Sequence, residues 1–254
     1  MRRAKRKLSE VIRYLDEILE MERYQKKPSH EGLVIDAGQE VQSIGLSVNV
    51  SLHSIGLAVG RDLDLLITHH PSSLFTDSYL YEDKYRLLRD AGVSLYVAHD
   101  PLDQATEFGT AHSLASAIGL KIEGKFVRDE ESGKFSGVYG HAHVNFTDFV
   151  KRLESALMVR PQIYLVTNRL GKIAVITGWG GRPEWVYEAK NLGCSTFFTG
   201  EALMFGKLVA MELGINMILG THYATEMFGL RALGQKMEKK FRIRPQFIDE
   251  ENLG

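Results

Sequence analysis

Short apolar runs alternate with longer amphipathic runs along this chain, and that alternation limits its fold more than any other feature. Near-continuous apolar segments such as Leu63–Thr68 and Val93–Ala98 predict strands of a sheet that is covered on both faces. The amphipathic segments between such strands, Tyr81–Ala91 among them, predict helices. Strands that alternate with helices are typical of α/β proteins, so α/β is the predicted fold class.

The pattern loosens near Lys121–Glu131, and this change predicts two α/β modules. The first predicted module comprises residues 1–123 and the second residues 124–254. Packing of the C-terminal segment back on the first module is left open as an alternative. The chain is long enough for each module to bury a core of its own.

Two local predictions concern the second module. The apolar stretches Gln162–Thr167 and Lys172–Thr177 flank the turn-forming residues Asn168–Gly171, which predicts a strand pair around that turn. Thr147 is the predicted N-cap of a helix over Asp148–Leu157, because a threonine hydroxyl can accept a hydrogen bond from the first helical turn.

Charge balance and the lack of long apolar runs exclude several classes of function. The 31 Lys and Arg residues face 32 Asp and Glu residues, so the basic surplus of a general nucleic-acid coat protein is missing. No run of 18 or more apolar residues predicts a membrane span. The single cysteine, Cys194, cannot form an internal disulfide and is expected to be a buried, apolar residue. We therefore expect a cytoplasmic protein without membrane or nucleic-acid partners.

Side chains that bind metals follow four of the predicted strands. They are His69 and His70 after Thr68, His99 and Asp103 after Ala98, Glu201 after Thr199, and His222 and Glu226 after Leu219. In open parallel sheets, ligands bind beyond the carboxyl ends of the strands, so these side chains are expected to share a site. A four-residue spacing puts His222 and Glu226 on one helix face, and His99 and Asp103 likewise. His69 and His70 converge only in an irregular turn.

Each cluster alone has an ordinary structural explanation, because a histidine after a strand is usually a hydrogen-bonded or surface residue. The prediction of a metal site depends on the combination of three clusters, which hold four of the nine histidines. Imidazole and carboxylate ligands without thiolate suit zinc, iron, manganese, nickel or cobalt. About six ligands exceed the four of a tetrahedral zinc site, so two divalent metal ions bridged by Asp103 or Glu226 would use them all.

The order and spacing of these motifs resemble the Nif-three-like dinuclear metal centre family, whose bacterial members carry the name GTP cyclohydrolase 1 type 2 homologue. The resemblance is carried by Ile67-Thr-His-His-Pro71, Leu95-Tyr-Val-Ala-His-Asp-Pro-Leu-Asp103, Phe198-Thr-Gly-Glu201 and Gly220-Thr-His-Tyr-Ala-Thr-Glu226. It covers nearly the whole chain and implies two α/β modules with a dinuclear metal cleft between them. It also implies a ring-shaped homohexamer. The metal ligands that it implies are His69, His70, Asp103, His222 and Glu226.

The resemblance and the ligand set together favour a metal-dependent hydrolase that acts on a nucleotide or phosphoester, similar to GTP cyclohydrolase type 2. Metal ions would lower the pKa of water from about 15.7 towards about 7, and Glu201 or His99 would transfer the proton as catalytic residues. Alternatively, His99 is itself a metal ligand or contacts the ligands without binding the metal. The turn Gly178–Gly181 is either a plain tight turn or a loop that offers N–H groups to a phosphate. The alternative function is a non-catalytic metal-binding scaffold or regulatory partner protein.

Overall fold

The structure is a computed structural model, and it describes residues 5–24, 31–38, 40–72 and 77–250. In chain order the strands are β1 (Arg6–Lys7), β2 (Gly32–Ile35), β3 (Glu40–Val41), β4 (Ile44–Ser47), β5 (Leu65–Thr68), β6 (Ser94–Val97), β7 (Lys121–Arg128), β8 (Phe135–His141), β9 (Gln162–Tyr164), β10 (Lys172–Val175), β11 (Thr196–Thr199), β12 (Asn216–Leu219) and β13 (Gln246–Phe247). The helices are α1 (Leu8–Leu19), α2 (Leu52–Gly60), α3 (Tyr81–Asp90), α4 (Asp100–Asp103), α5 (Thr110–Ala117), α6 (Phe146–Leu157), α7 (Pro183–Asn191), α8 (Met204–Glu212) and α9 (His222–Phe241). These elements form two compact units, one of Met1–Ala105 with Leu230–Leu253 and one of Thr106–Gly229.

The first unit is built on a five-stranded sheet with the order β13-β4-β5-β6-β2. Its strands are parallel except β2, which runs antiparallel to β6 at one edge. All residues of β4, β5 and β6 are buried, as expected for parallel strands that are covered on both faces. Because Thr68 pairs with Val97, the carboxyl ends of β5 and β6 lie side by side.

The second unit contains a six-stranded sheet with the order β7-β8-β10-β11-β12-β9. Strands β10, β11 and β12 are parallel, whereas β7, β8 and β9 run antiparallel to their neighbours. The neighbouring residues Phe197 and Phe198 of β11 belong to different apolar clusters, because alternate side chains of a strand point to opposite faces. Helices α5 and α6 contribute to the cluster of Phe198, and α7 and α8 contribute to the cluster of Phe197.

The division into units lies at Ala105, whereas the sequence predicted a boundary after residue 123. Helix α5 belongs to the second unit because Leu114 packs in the same core as Ile173. The segment with the loosened pattern forms the edge strand β7, whose first residues alternate between exposed and half-buried positions. The residues from Leu230 onward, including the end of α9, group with the first unit.

The two predicted strands of residues 162–177 are present as β9 and β10, but the predicted pairing between them is wrong. Strand β9 pairs with β12, whereas β10 pairs with β8 and β11. Asn216 at the start of β12 gives the reason, because its Oδ1 accepts the backbone N–H groups of Val166 and Thr167 at 2.8 and 2.9 Å. The segment after β9 is therefore held against β12 and does not fold back on itself.

The predicted N-cap of α6 is also wrong. The helix begins at Phe146, and its N-cap is Asn145, whose Oδ1 accepts the backbone N–H of Asp148 at 2.9 Å. Thr147 lies inside the first helical turn, where its hydroxyl cannot act as the cap.

Two expectations from composition concern Cys194 and membrane spans. Cys194 is buried, and burial raises the pKa of its thiol to about 12, so the prediction of a buried, apolar residue is confirmed. Within the described ranges, no helix combines the length and the apolar character needed to cross a membrane.

Candidate metal-binding site

Three histidines of the first unit lie together beyond the carboxyl ends of β5 and β6. Ligand nitrogens of His69, His70 and His99 all lie within 4.8 Å of one another, and the ring centroids are 4.9 to 5.3 Å apart. The chain leaves regular strand geometry at His69, so the adjacent His69 and His70 need not point to opposite faces. The structure thus brings together three of the residues that the sequence proposed for the site.

His69 is fully buried, and its surroundings determine which ring nitrogen carries a proton. Its Nδ1 lies 2.9 Å from the backbone carbonyl oxygen of Ala98, which can only accept a hydrogen bond. Nδ1 therefore donates, and the lone pair of the neutral ring lies on Nε2. That Nε2 is 3.6 Å from Asp103 Oδ1, and a neutral imidazole nitrogen with a carboxylate oxygen suits a divalent cation.

His99 lies beside two carboxylates that the sequence analysis did not include. Its Nδ1 is 3.2 Å from Asp100 Oδ1, and the backbone N–H of Asp100 donates to Glu31 Oε1 at 3.1 Å. Ligand atoms of Glu31, His99 and Asp100 also lie within 4.8 Å of one another. Glu31 precedes strand β2, so it lies outside the pattern of side chains that follow strands. Because β2 runs antiparallel to β6, the beginning of β2 lies beside the end of β6.

The second unit carries His222 and Glu226 on the first turns of α9. Their four-residue spacing on the helix puts His222 Nε2 2.9 Å from Glu226 Oε1. His222 Nδ1 lies 3.5 Å from Glu201 Oε2. Burial lowers the pKa of His222, but the carboxylates of Glu226 and Glu201 outweigh burial and raise the pKa overall. A metal ion that binds His222 therefore competes with a proton that the two carboxylates stabilise.

Two glycines let the neighbouring strand ends approach this helical turn closely. Gly178 has a φ of +58°, and a Cβ at this position would overlap Glu226 Oε1 and lie 3.0 Å from His222 Nε2. A Cβ on Gly200 would lie 2.6 Å from the Gly178 carbonyl oxygen and 3.0 Å from His222 Cα. A side chain at either position would displace atoms around the His222–Glu226 pair.

Two backbone N–H groups of the turn Gly178–Gly181 donate hydrogen bonds to threonine hydroxyls of the second unit. The N–H of Gly178 donates to Thr225 Oγ1 at 3.0 Å, and the N–H of Gly180 donates to Thr199 Oγ1 at 3.1 Å. These donors could bind a phosphate only after their present hydrogen bonds break. The structure therefore favours the plain tight turn over the anion-binding loop.

Comparison with known proteins identifies the family. The model of the family described as Duf34/NIF3 (NGG1p interacting factor 3) matches residues 6–252. The chain belongs to the Duf34/NIF3 family. The resemblance predicted from the motifs is thereby confirmed, and so is the α/β fold, since solved structures of the NIF3 superfamily share it.

Relatives of this Duf34/NIF3 protein match it over nearly its whole length. A protein of Archaeoglobus fulgidus called "GTP cyclohydrolase 1 type 2 homolog" is 30% identical over 251 residues, which are 95% of this chain and 97% of the relative. A protein of Deinococcus radiodurans with the same name is 31% identical over 252 residues, with 94% and 92% covered. The solved structure of protein ybgI, described as of unknown function, has a TM-score of 0.85 and 24% identity over 96% of this chain and 98% of its own.

Proposed function

We propose that this Duf34/NIF3 protein binds two divalent metal ions and uses them to hydrolyse a nucleotide or phosphoester. The proposed ligands are His69, His70, Asp103, His222 and Glu226. The observation that carries the proposal is the cluster of His69, His70 and His99, whose ligand nitrogens lie within 4.8 Å of one another and in which His69 has its lone pair on Nε2. The joint use of ligands from both units rests on the motif resemblance to the dinuclear metal centre family.

The side chains present fit divalent transition metals. The ligand set combines imidazole nitrogens with carboxylate oxygens and contains no thiolate, which suits zinc, iron, manganese, nickel or cobalt. The buried Nε2 of His69 and the partly exposed Asp103 Oδ1 are 3.6 Å apart, which is longer than a hydrogen bond. One imidazole nitrogen and one carboxylate oxygen are both ligand types of a divalent transition metal ion.

Glu201 and His99 are the proposed proton-transfer residues. When bound, divalent ions lower the pKa of water and polarise the bond under attack. The Glu201 side chain is 54% exposed and contacts His222, so its carboxylate reaches solvent beside a proposed ligand. His99 is 39% exposed and lies next to His69 and His70. Either group could accept a proton from the attacking water and return it to the leaving group.

Metal analysis tests the binding part of the proposal. Protein that is stripped with a chelator and reloaded is expected to hold about two ions per chain, as the ligand number suggests. His69→Ala and Glu226→Gln are expected to lower this content, whereas His143→Ala, at an exposed histidine, is the matched control. Less than about one ion per chain after metal supplementation would contradict the proposed site.

A substrate screen tests the catalytic part. Metal-loaded protein is assayed against nucleotides, GTP included, and against simple phosphoesters. Glu201→Gln is expected to lower turnover by about 10²–10⁴-fold while metal content stays unchanged, because it removes a proton acceptor but no proposed ligand. Turnover that survives both Asp103→Ala and Glu226→Gln would belong to a contaminant.

A non-catalytic metal-binding scaffold is the second candidate function, and an exposed apolar surface favours it. On α8 the side chains of Met204, Phe205 and Leu208 are 67%, 62% and 45% exposed. Contiguous apolar surface of this kind marks contacts with other proteins. Stoichiometric metal without turnover on any substrate in the screen would support the scaffold over the hydrolase.

We also propose that the protein assembles as a homohexamer and acts in the cytoplasm. The ring is implied by the family resemblance, and the apolar side of α8 supplies a surface that self-association would bury. Light scattering of purified protein is expected to give a multiple of the 28.6 kDa chain mass, with six chains as the proposed number. A mass of one chain at micromolar concentration would contradict the assembly.

A further inference from the structure

A buried carboxylate, Glu250, organises the turn after β4, which contacts the histidine cluster through Asn49 and His70. Glu250 is 2% exposed. Its Oε2 accepts hydrogen bonds from Ser47 Oγ at 2.8 Å, from the backbone N–H of Asn49 at 3.0 Å and from Asn49 Nδ2 at 3.3 Å. Its Oε1 accepts from Ser51 Oγ, the N-cap residue of α2, at 2.7 Å. Glu250 thus holds both the end of β4 and the turn that follows it.

The carboxylate determines which way the Asn49 amide faces. An ionised carboxylate only accepts hydrogen bonds, so the donating Nδ2 of Asn49 must be the amide atom that faces Glu250. The reversed amide would bring two acceptors together. The amide oxygen Oδ1 therefore points away from Glu250, where it lies 2.8 Å from His70 Nδ1.

The Asn49 oxygen in turn determines the tautomer of His70. Oδ1 is an acceptor, so His70 Nδ1 must carry a proton and donate it. A neutral imidazole has one ring proton, and its lone pair then lies on Nε2. His70 therefore has the same tautomer as His69, whose Nδ1 donates to the Ala98 carbonyl oxygen. In both rings the lone pair that could bind a metal ion lies on Nε2.

We propose that Glu250 is a positioning residue for His70. Through Asn49 it holds the imidazole in the Nδ1–H tautomer, which has its lone pair on Nε2. The inference rests on the proposed function for the role of His70 as a ligand, while the hydrogen-bonded relay exists in the metal-free protein. Groups that orient a ligating histidine change metal affinity by about 10–100-fold when they are removed.

Nitrogen-15 NMR of histidine-labelled, metal-free protein tests the relay at about pH 8, where an unperturbed imidazole is neutral. His70 is expected in the Nδ1–H tautomer, with its signals assigned by their loss in His70→Gln.

Glu250→Ala releases the Asn49 amide, so we expect a mixture of tautomers and a zinc affinity at least about tenfold weaker. Glu250→Gln is expected to retain both properties, because its amide oxygen can take the place of Oε2, which accepts three of the hydrogen bonds. Glu238→Ala, at an exposed carboxylate of α9, is the matched control.

The outcomes separate a positioning role from a purely structural one. If Glu250→Ala lowers thermal stability but leaves the His70 tautomer unchanged, the proposal is overturned. If Glu250→Ala does not fold, Asn49→Leu replaces it, and a retained Nδ1–H tautomer in that variant also overturns the proposal. If Glu250→Ala loses the Nδ1–H tautomer but the unsubstituted protein binds no metal, the relay is supported and the proposed function is contradicted. Failure of the relay and failure of the proposed function are therefore distinguishable.

Discussion

Gly178 occupies a position where both the backbone conformation and the available space exclude a side chain. We expect Gly178→Ala to push the Glu226 carboxylate away from His222 and to weaken zinc binding by about tenfold or more. Gly193→Ala is the matched control, because Gly193 has a φ of +77° but no atom lies within 4 Å of a Cβ placed there. Both variants have the backbone strain of an alanine at positive φ, about 1–2 kcal/mol. Only Gly178→Ala also places a Cβ in overlap with Glu226 Oε1. Equal zinc affinities in calorimetric titrations of the two variants would contradict this account.

His112 gives the protein a pH-dependent stability. Burial lowers its pKa and the charge of Lys125 lowers it further, although Glu107 acts in the opposite direction. The unfolded chain takes up the proton near pH 6.5, whereas the folded chain takes it up only at lower pH. The free energy of unfolding therefore has its full value above about pH 6.5 and falls as the pH drops through that value.

A variant that cannot titrate at this position tests the effect. His112→Gln is expected to flatten the decline of the free energy of unfolding between about pH 7 and pH 5, as measured by urea denaturation. His143→Gln, at an exposed histidine, is the control and should leave the decline unchanged. A decline that is equally steep in both variants would show that other groups cause it.

Candidate ligands could be located from the sequence wherever a strand leads directly into them, as at His69 and His222. Glu31 and Glu250 could not be predicted, because their positions depend on how the chain returns in space. Glu31 is brought in by the antiparallel direction of β2. Glu250 is separated from Asn49 by 201 positions, and no local pattern relates the two residues.

Helices and buried strands with a strong internal pattern were predictable to within a few residues. The predicted helix Tyr81–Ala91 corresponds to α3 (Tyr81–Asp90), and the predicted strand Leu63–Thr68 contains β5 (Leu65–Thr68). The partner of a strand was not predictable, because it depends on distant side chains such as Asn216. Apolar alternation describes which face of a strand is buried but not which strand lies beside it.

The start of α6 offers a direct test of the cap assignment. Asn145→Ala is expected to lower the free energy of unfolding by about 1 kcal/mol, because the backbone N–H of Asp148 loses its acceptor. Thr147→Ala changes an exposed residue inside the first turn and is expected to alter stability by less than about 0.5 kcal/mol. Urea denaturation measures both values, and the reverse ranking would show that Thr147 is the true cap.

For the molecule as a whole, the apolar side of α8 predicts how the proposed homohexamer can be disrupted. Met204, Leu208 and Met211 follow helical spacing and are 67%, 45% and 55% exposed. Leu208→Glu is expected to reduce the particle mass in light scattering while the circular dichroism spectrum stays unchanged. Leu87→Glu, at a leucine that is 44% exposed on α3, is the matched control. An unchanged mass for Leu208→Glu would exclude this surface as the contact.

The division of the chain also sets an order of events during synthesis. Thr106–Gly229 is one uninterrupted segment, whereas the first unit needs Leu230–Leu253, including β13 beside β4. The later segment is synthesised after Thr106–Gly229, so the second unit can complete its core while the first still lacks an edge strand and Glu250. The histidine cluster thus reaches its final form only after Glu250 has been synthesised, and we expect metal loading to follow that step.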